Sequence, residues 1–223
     1  MGLTPHKFAN NIPPEAIALL HVSEIINADI LMIQEIAGYE DGAVMTPGES
    51  ASAANGWVNT IDSNSPEVIA NARDIIANNL YCTLSTCSVD GFPWASPVFF
   101  AYDDSFNIYW SSAIAAQHSQ NIYSNHGRVT IAIFYSKLTE GSSEGLYFKG
   151  FAFELSQDHV EKAFNLLSLR AKKPIPRTAA DYLDNSPRRI YQFQPQQVWI
   201  TGSRLPVGNQ LVDTKIQINL PNL

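Results

Sequence analysis

Two apolar runs, YCTLSTCSV at 81–89 and WASPVFFAY at 94–102, meet across Asp90-Gly91. Asp-Gly is the strongest short hairpin signal, because glycine accepts the positive φ that a tight turn between twisted strands demands. A chain punctuated in this way is committed to antiparallel pairing over residues 81–102. The runs that follow keep the short, alternating, aromatic-rich character of strands: IYWSS at 108–112, RVTIAIFYS at 128–136, LYFKGFAFELS at 146–156 and RIYQFQPQQVWITG at 189–202. Asp103-Asp104-Ser105 reads as a turn, and Gly141, Ser142, Ser143 and Gly145 mark a loop. Pro195, inside the last run, predicts an edge or a bulge, since proline donates nothing to a ladder.

Helical signals flank and interrupt these strands. Residues 13–37 open on Pro13-Pro14-Glu15 and close before Gly38, with apolar residues spread around nearly the whole helix circumference. Such a helix must be covered on all sides. Residues 38–64, rich in Gly, Ser, Ala and Asn, read as an extended linker. Ser65-Pro66-Glu67 then supplies an N-cap, a first-turn proline and an early acid, and Ile69, Ala72, Ile76 and Leu80 give the following helix one apolar face. Asp158 with Glu161 reads as a capping box for a helix through Arg170, with Val160, Phe164 and Leu167 inward. Six strands and two interrupting helices predict a mainly β (α+β) chain, a six-stranded antiparallel barrel with flanking helices and an N-terminal helical extension. The expected divisions are extension and linker at 1–64, barrel at 65–204 and a C-terminal tail at 205–223.

Charge narrows the partners. Twenty-one acidic residues against 14 basic ones leave a net charge of −7, and no Lys/Arg cluster offers a footprint for nucleic acid or an anionic membrane. No apolar run approaches the roughly 18 residues that span a bilayer. The N-terminus lacks a signal-peptide pattern, so a cytoplasmic location is expected. Cys82 and Cys87, five apart on one strand, point to opposite faces and suit neither a disulfide nor a metal pair. No histidine has partners at zinc-ligand spacing. With no Gly-x-Ser-x-Gly elbow, phosphate-binding loop or dinucleotide fingerprint present, cofactor chemistry is the main route left to enzyme activity.

The stretch SSAIAAQHSQNI at 111–122 passes from strand to helix. It gathers Ser111, Ser112, Gln117, His118, Ser119 and Asn121 with no acidic residue among them. A helix start offers free N–H groups and the positive end of a dipole, and hydroxyls add donors, so the pattern suits an anion. Plain alternatives stand beside this one: serines that only cap the helix, and a histidine on a helix surface.

Asp90-Gly91 with Pro93, Ser96-Pro97-Val98, Tyr109-Trp110-Ser111-Ser112, His118-Ser119-Gln120-Asn121-Ile122, Gly150 and Trp199 occur in an order that resembles the pyridoxamine 5′-phosphate oxidase-related family of FMN-binding split barrels. The resemblance covers about residues 66–204. It implies a split barrel, a homodimer with two FMN sites at the subunit interface, and a small-molecule substrate. It places Ser96, Pro97, Val98 and Phe99 along the isoalloxazine edge. Ser111, Ser112, His118 and Ser119, with Gln117 beside them, surround the phosphate, and Trp199 lies near the flavin. Two departures accompany it. Relatives with oxidase activity set Arg and Lys around the phosphate, where this chain has only His118 to carry charge, with Arg73, Arg128 and Lys149 as possible contributors from elsewhere. Pyridoxamine phosphate oxidases also follow the late Trp with Arg-x-His, where this chain has Arg204-Leu205-Pro206. The resemblance thus implies an FMN-dependent oxidoreductase. The rival readings are a non-catalytic flavin- or haem-binding module and a cofactor-free interaction protein.

Overall fold

The computed structural model describes residues 57–136, 139, 144–207 and 209–223. The helix expected over 13–37, and the expected linker up to residue 56, lie outside the described residues. Residues 57–206 and 211–223, where described, form one compact unit. Its strands are β1 (Val58–Asn59), β2 (Tyr81–Cys87), β3 (Pro93–Phe99), β4 (Ala101–Tyr102), β5 (Ile108–Ala113), β6 (Arg128–Phe134), β7 (Gly145–Glu154) and β8 (Arg188–Thr201). β9 (Leu205–Val207) and β10 (Gln210–Val212) stand outside the main sheet, and β11 (Lys215–Ile218) completes it. The helices are α1 (Pro66–Asn78), α2 (Gln117–Ser124) and α3 (Gln157–Arg170).

Hydrogen bonding runs β3-β2-β6-β7-β8-β5-β4, every pair antiparallel. β3 and β4 are separated only by Phe100, so this path returns toward its start, consistent with the expected split barrel. Closure removes exposed edges. β8 makes the split. Its first half pairs with β5 (Ile190 opposite Ser111, Arg189 opposite Ser112), and its second half pairs with β11 (Val198 opposite Ile218). The sheet also extends beyond the expected barrel limits: β1 comes from the expected linker and β11 from the expected tail, and the two pair in parallel.

Alternation sorts the side chains. Leu84, Val98, Ile108, Trp110, Ile131, Phe148, Tyr191 and Phe193 point into the barrel and are buried. α1 packs against this core through Ala72, Ile75 and Ile76, all fully buried. A second cluster forms on the far side of β4, β5 and β8, where Tyr109 and Ile190 meet Val160, Ala163 and Leu167 of α3. α3 begins one residue before the expected capping box. Ser156 takes the N-cap position, its Oγ 2.8 Å from His159 Nδ1, and Asp158 falls in the first turn, where its charge suits the helix dipole.

One local feature differs from the sequence reading, and one alternative it left open is decided. The β2–β3 ladder opens at Cys87 opposite Pro93, so the connection is the five residues 88–92 and not a two-residue turn, with Gly91 at φ +90°. At Pro195 the structure has a bulge, not an edge: the register between β7 and β8 shifts at Lys149/Gly150, leaving Gln196 without a partner rung. Gly150 permits that bulge, because a Cβ there would collide with the Gln194 carbonyl and lie 2.9 Å from the Phe193 ring. Gly150→Ala is expected to destabilise the fold by about 1–3 kcal/mol, read as a lowered urea midpoint with unchanged slope. A midpoint equal to wild type would mean that the two strands separate freely at this point.

Candidate functional site

Three polar side chains from three elements converge at one end of the barrel. Ser96 lies on the inner face of β3 and is 9 % exposed, and Ser112 lies on the inner face of β5 and is 8 % exposed. His118, on the first turn of α2, reaches between them. Its Nε2 lies 2.7 Å from Ser112 Oγ, and its Nδ1 lies 3.1 Å from Ser96 Oγ. Trp94 Nε1 donates to Ser96 Oγ at 3.0 Å, fixing that hydroxyl from the other side. Alternation explains the pairing: Trp94 and Ser96 are two apart on one strand and share its face. Burial lowers the His118 pKa below the ordinary 6.5, so the ring is neutral at neutral pH.

α2 is held in place by a second set of hydrogen bonds. Gln117 Nε2 donates to Asn121 Oδ1 at 2.8 Å, and Asn121 Nδ2 donates to Thr86 Oγ1 on β2 at 2.9 Å. No side chain caps the helix and no acid sits in its first turn, which leaves the first-turn N–H groups and their partial positive charge beside His118.

The other expected site residues are distributed differently. Val98 is part of the barrel core, whereas Pro97 and Phe99 face outward, Phe99 edge-on to Tyr81 at 6.1 Å between ring centroids. Ser111 shares the opposite face of β5 from Ser112, across from Ile190. Ser119 is fully buried and its Oγ has no hydrogen-bond partner among the described residues. Trp199 is half-buried on β8 between Tyr147 and Gln217. It lies ten residues beyond Arg189, the residue opposite Ser112, which is roughly 30 Å of strand. Within one chain Trp199 is therefore not brought to the His118 cluster.

Nor are the expected cations. Arg73 donates to the Leu223 and Asn222 carbonyls. Arg128 and Lys149 line a separate cleft of about 720 Å³ with Cys87, Asn125 and Phe151. Asn125, just past the C-terminal end of α2, marks that cleft as about 10 Å from His118 along the helix. The cations that do approach, Arg188 and Arg189, were not anticipated. Pairing between β5 and β8 sets Arg189 opposite Ser112 and Arg188 opposite Ala113 on the other face of β5, a contact between segments some 76 residues apart that no local pattern signals. Arg189 is committed to Glu154 at 2.7 Å and to the Ser186 and Asp184 carbonyls. Arg188 has a buried Nε without a partner among the described residues. Trp94 also joins the cluster, through its two-residue spacing from Ser96 on one strand.

The cluster can thus offer two hydroxyls, an imidazole and an uncapped helix start to a ligand, all without fixed charge. In hydrogen-bonding capacity this set fits a phosphate group. Among the described residues no group of His, Cys, Asp and Glu is placed to hold a metal ion, and no helix is long and apolar enough to cross a membrane.

Residues 68–202 match the sequence family described as pyridoxamine 5′-phosphate oxidase. Among solved structures, a protein of unknown function from Agrobacterium tumefaciens strain C58 is 20% identical, with 73% of this chain and 62% of that one covered at a TM-score of 0.53. A conserved hypothetical protein from Mycobacterium tuberculosis is 19% identical, with 63% and 86% covered at 0.50. A heme binding protein from Mycobacterium smegmatis is 22% identical, with 67% and 58% covered at 0.48. These likenesses concern the fold. Among curated proteins no sequence matches.

Proposed function

This chain belongs to the pyridoxamine 5′-phosphate oxidase family, and from that premise we propose that it is an FMN-binding oxidoreductase whose phosphate site is formed by Ser96, Ser112 and His118. The observation that carries the reading is the meeting of these three residues, two of them nearly buried hydroxyls, beside the uncapped start of α2. FMN would supply hydride and electron transfer, and the protein orientation and electrostatics. Ser96 and Ser112 would donate to phosphate oxygens, Trp94 would hold Ser96, and the helix N–H groups would complete the set.

A homodimer belongs to the proposal. A flavin anchored at His118 cannot also touch Trp199 of the same chain, whereas a second copy can bring its own. Tyr81, Phe134, Phe151 and Phe153, all exposed on the outer sheet face, give such a copy an apolar surface to cover. The substrate is taken to be a small molecule other than pyridoxine 5′-phosphate, because Pro206 stands where the substrate-handling histidine belongs.

A second reading, a non-catalytic flavin- or haem-binding module, draws on the neutrality of the cluster. Separate incubations with excess FMN, riboflavin and haem, each followed by desalting, separate the proposal from the haem-binding form of that reading. The proposal expects about one FMN retained per protomer and riboflavin washed away. Haem retained with neither flavin retained would favour the module, and no chromophore retained would contradict both.

A further inference from the structure

We infer that His118 acquires a proton when a phosphate monoester enters its site, so that affinity for phosphate-bearing ligands falls as pH rises. The inference rests on the FMN-phosphate reading above and adds to it where the charge comes from.

Every polar atom of the cluster is satisfied by a neutral arrangement. Indole Nε1 can only donate, so Trp94 occupies a lone pair of Ser96 Oγ. Both serine hydroxyls can donate or accept, and each faces one ring nitrogen of His118. A neutral imidazole, one nitrogen donating and the other accepting, therefore completes the chain Trp94–Ser96–His118–Ser112 without a charge. Burial reinforces that state.

A phosphate monoester arrives with a charge of about −1.5 to −2 near neutral pH. The groups facing His118 offer no fixed counter-charge. Its hydrogen-bond partners are Ser96 of β3 and Ser112 of β5, and beside it α2 is tied to β2 through Gln117, Asn121 and Thr86. None of these is charged. On β8, Arg189 is tied to Glu154 of β7, and Arg188 pairs with Ala113 on the face of β5 away from Ser112. His118 is thus the group in contact with Ser96 and Ser112 that can become cationic. An anion within hydrogen-bond reach raises a histidine pKa, which opposes the lowering by burial.

The sign follows from this cycle. Below the free-state pKa the ring is already charged and affinity is flat. Between the free and bound pKa values each unit of pH costs up to tenfold in affinity. Above the bound value affinity is flat again and low. Riboflavin, with no phosphate, has no such dependence.

FMN and riboflavin titrations of the full chain at about pH 6.5, 7.5 and 8.5 test this, with wild type, His118→Asn and Arg188→Gln. The wild-type dissociation constant for FMN is expected to rise about tenfold or more across that range, with riboflavin unchanged. The slope should vanish in His118→Asn and persist in Arg188→Gln. Calorimetry of the wild type in two buffers of different ionisation enthalpy should show proton uptake approaching one per FMN near pH 7.5, and it needs no variant to fold. Tight FMN binding with a flat profile and no proton uptake would overturn the inference and leave the flavin reading standing. A slope that survives in His118→Asn would place the proton on the phosphate and also overturn it. Failure of FMN to bind at any of the three pH values would remove the flavin reading itself.

Discussion

Replacing Ser112 and His118 together by alanine is expected to weaken FMN binding by about a hundredfold to a thousandfold and to leave riboflavin nearly unchanged. A hydrogen bond to a charged group contributes roughly 1.5–3 kcal/mol, so two lost bonds would give about 3–6 kcal/mol if they added. These residues share a hydrogen bond of 2.7 Å, and coupled neighbours do not add. The lower half, about 3–4 kcal/mol, is therefore the expectation, which is the stated change in affinity. Ser112 and His118 form the pair to test because both belong to the connected cluster. Ser119 stands outside that chain of hydrogen bonds, its hydroxyl fully buried and without a partner among the described residues. Calorimetric titration with both flavins decides the matter. Equal losses for FMN and riboflavin would mean that the substitutions damaged the ring pocket or the fold.

Trp110→Ala is expected to cost about 3–5 kcal/mol of stability, and Trp110→Phe less than half as much. Trp110 is fully buried, stacks on Tyr191 at 5.7 Å with the rings 15° apart, and sits two residues before Ser112 on β5. Alanine leaves a cavity at the seam between β5 and β8. Phenylalanine keeps most of the stacking and removes an indole N–H that has no partner among the described residues, which offsets part of the lost contact. Urea unfolding of both variants checks this. A phenylalanine variant as unstable as the alanine one would mean that the indole nitrogen is not a burden in the native core.

Much of the fold was legible locally. The alternating runs announced β2, β5 and β6, and Ser65 with Pro66 set the start of α1. What escaped depended on partners far along the chain. Nothing near Lys215–Ile218 announces that it pairs with the second half of β8, and nothing near Val58 announces β11. The same limit applied to the site. Ser112 and His118 were legible because they lie six residues apart across one strand-to-helix turn. Ser96 needed the resemblance, since only the barrel brings β3 to α2. Arg188 and Arg189 could not be placed without the β5–β8 register, and Trp199 was displaced from the cluster by the length of β8. Ser111 and Ser119 came from the strand-to-helix stretch and the resemblance; alternation sets Ser111 on the other face of β5 from Ser112, and Ser119 is fully buried.

A crystal structure of the FMN complex is the most direct measurement. Phosphate oxygens are expected within hydrogen-bond distance of Ser96 Oγ, Ser112 Oγ and His118, with Trp94 still donating to Ser96. A phosphate seated instead in the cleft lined by Arg128 and Lys149, with the Ser96–His118–Ser112 cluster unchanged, would contradict the assignment of this site.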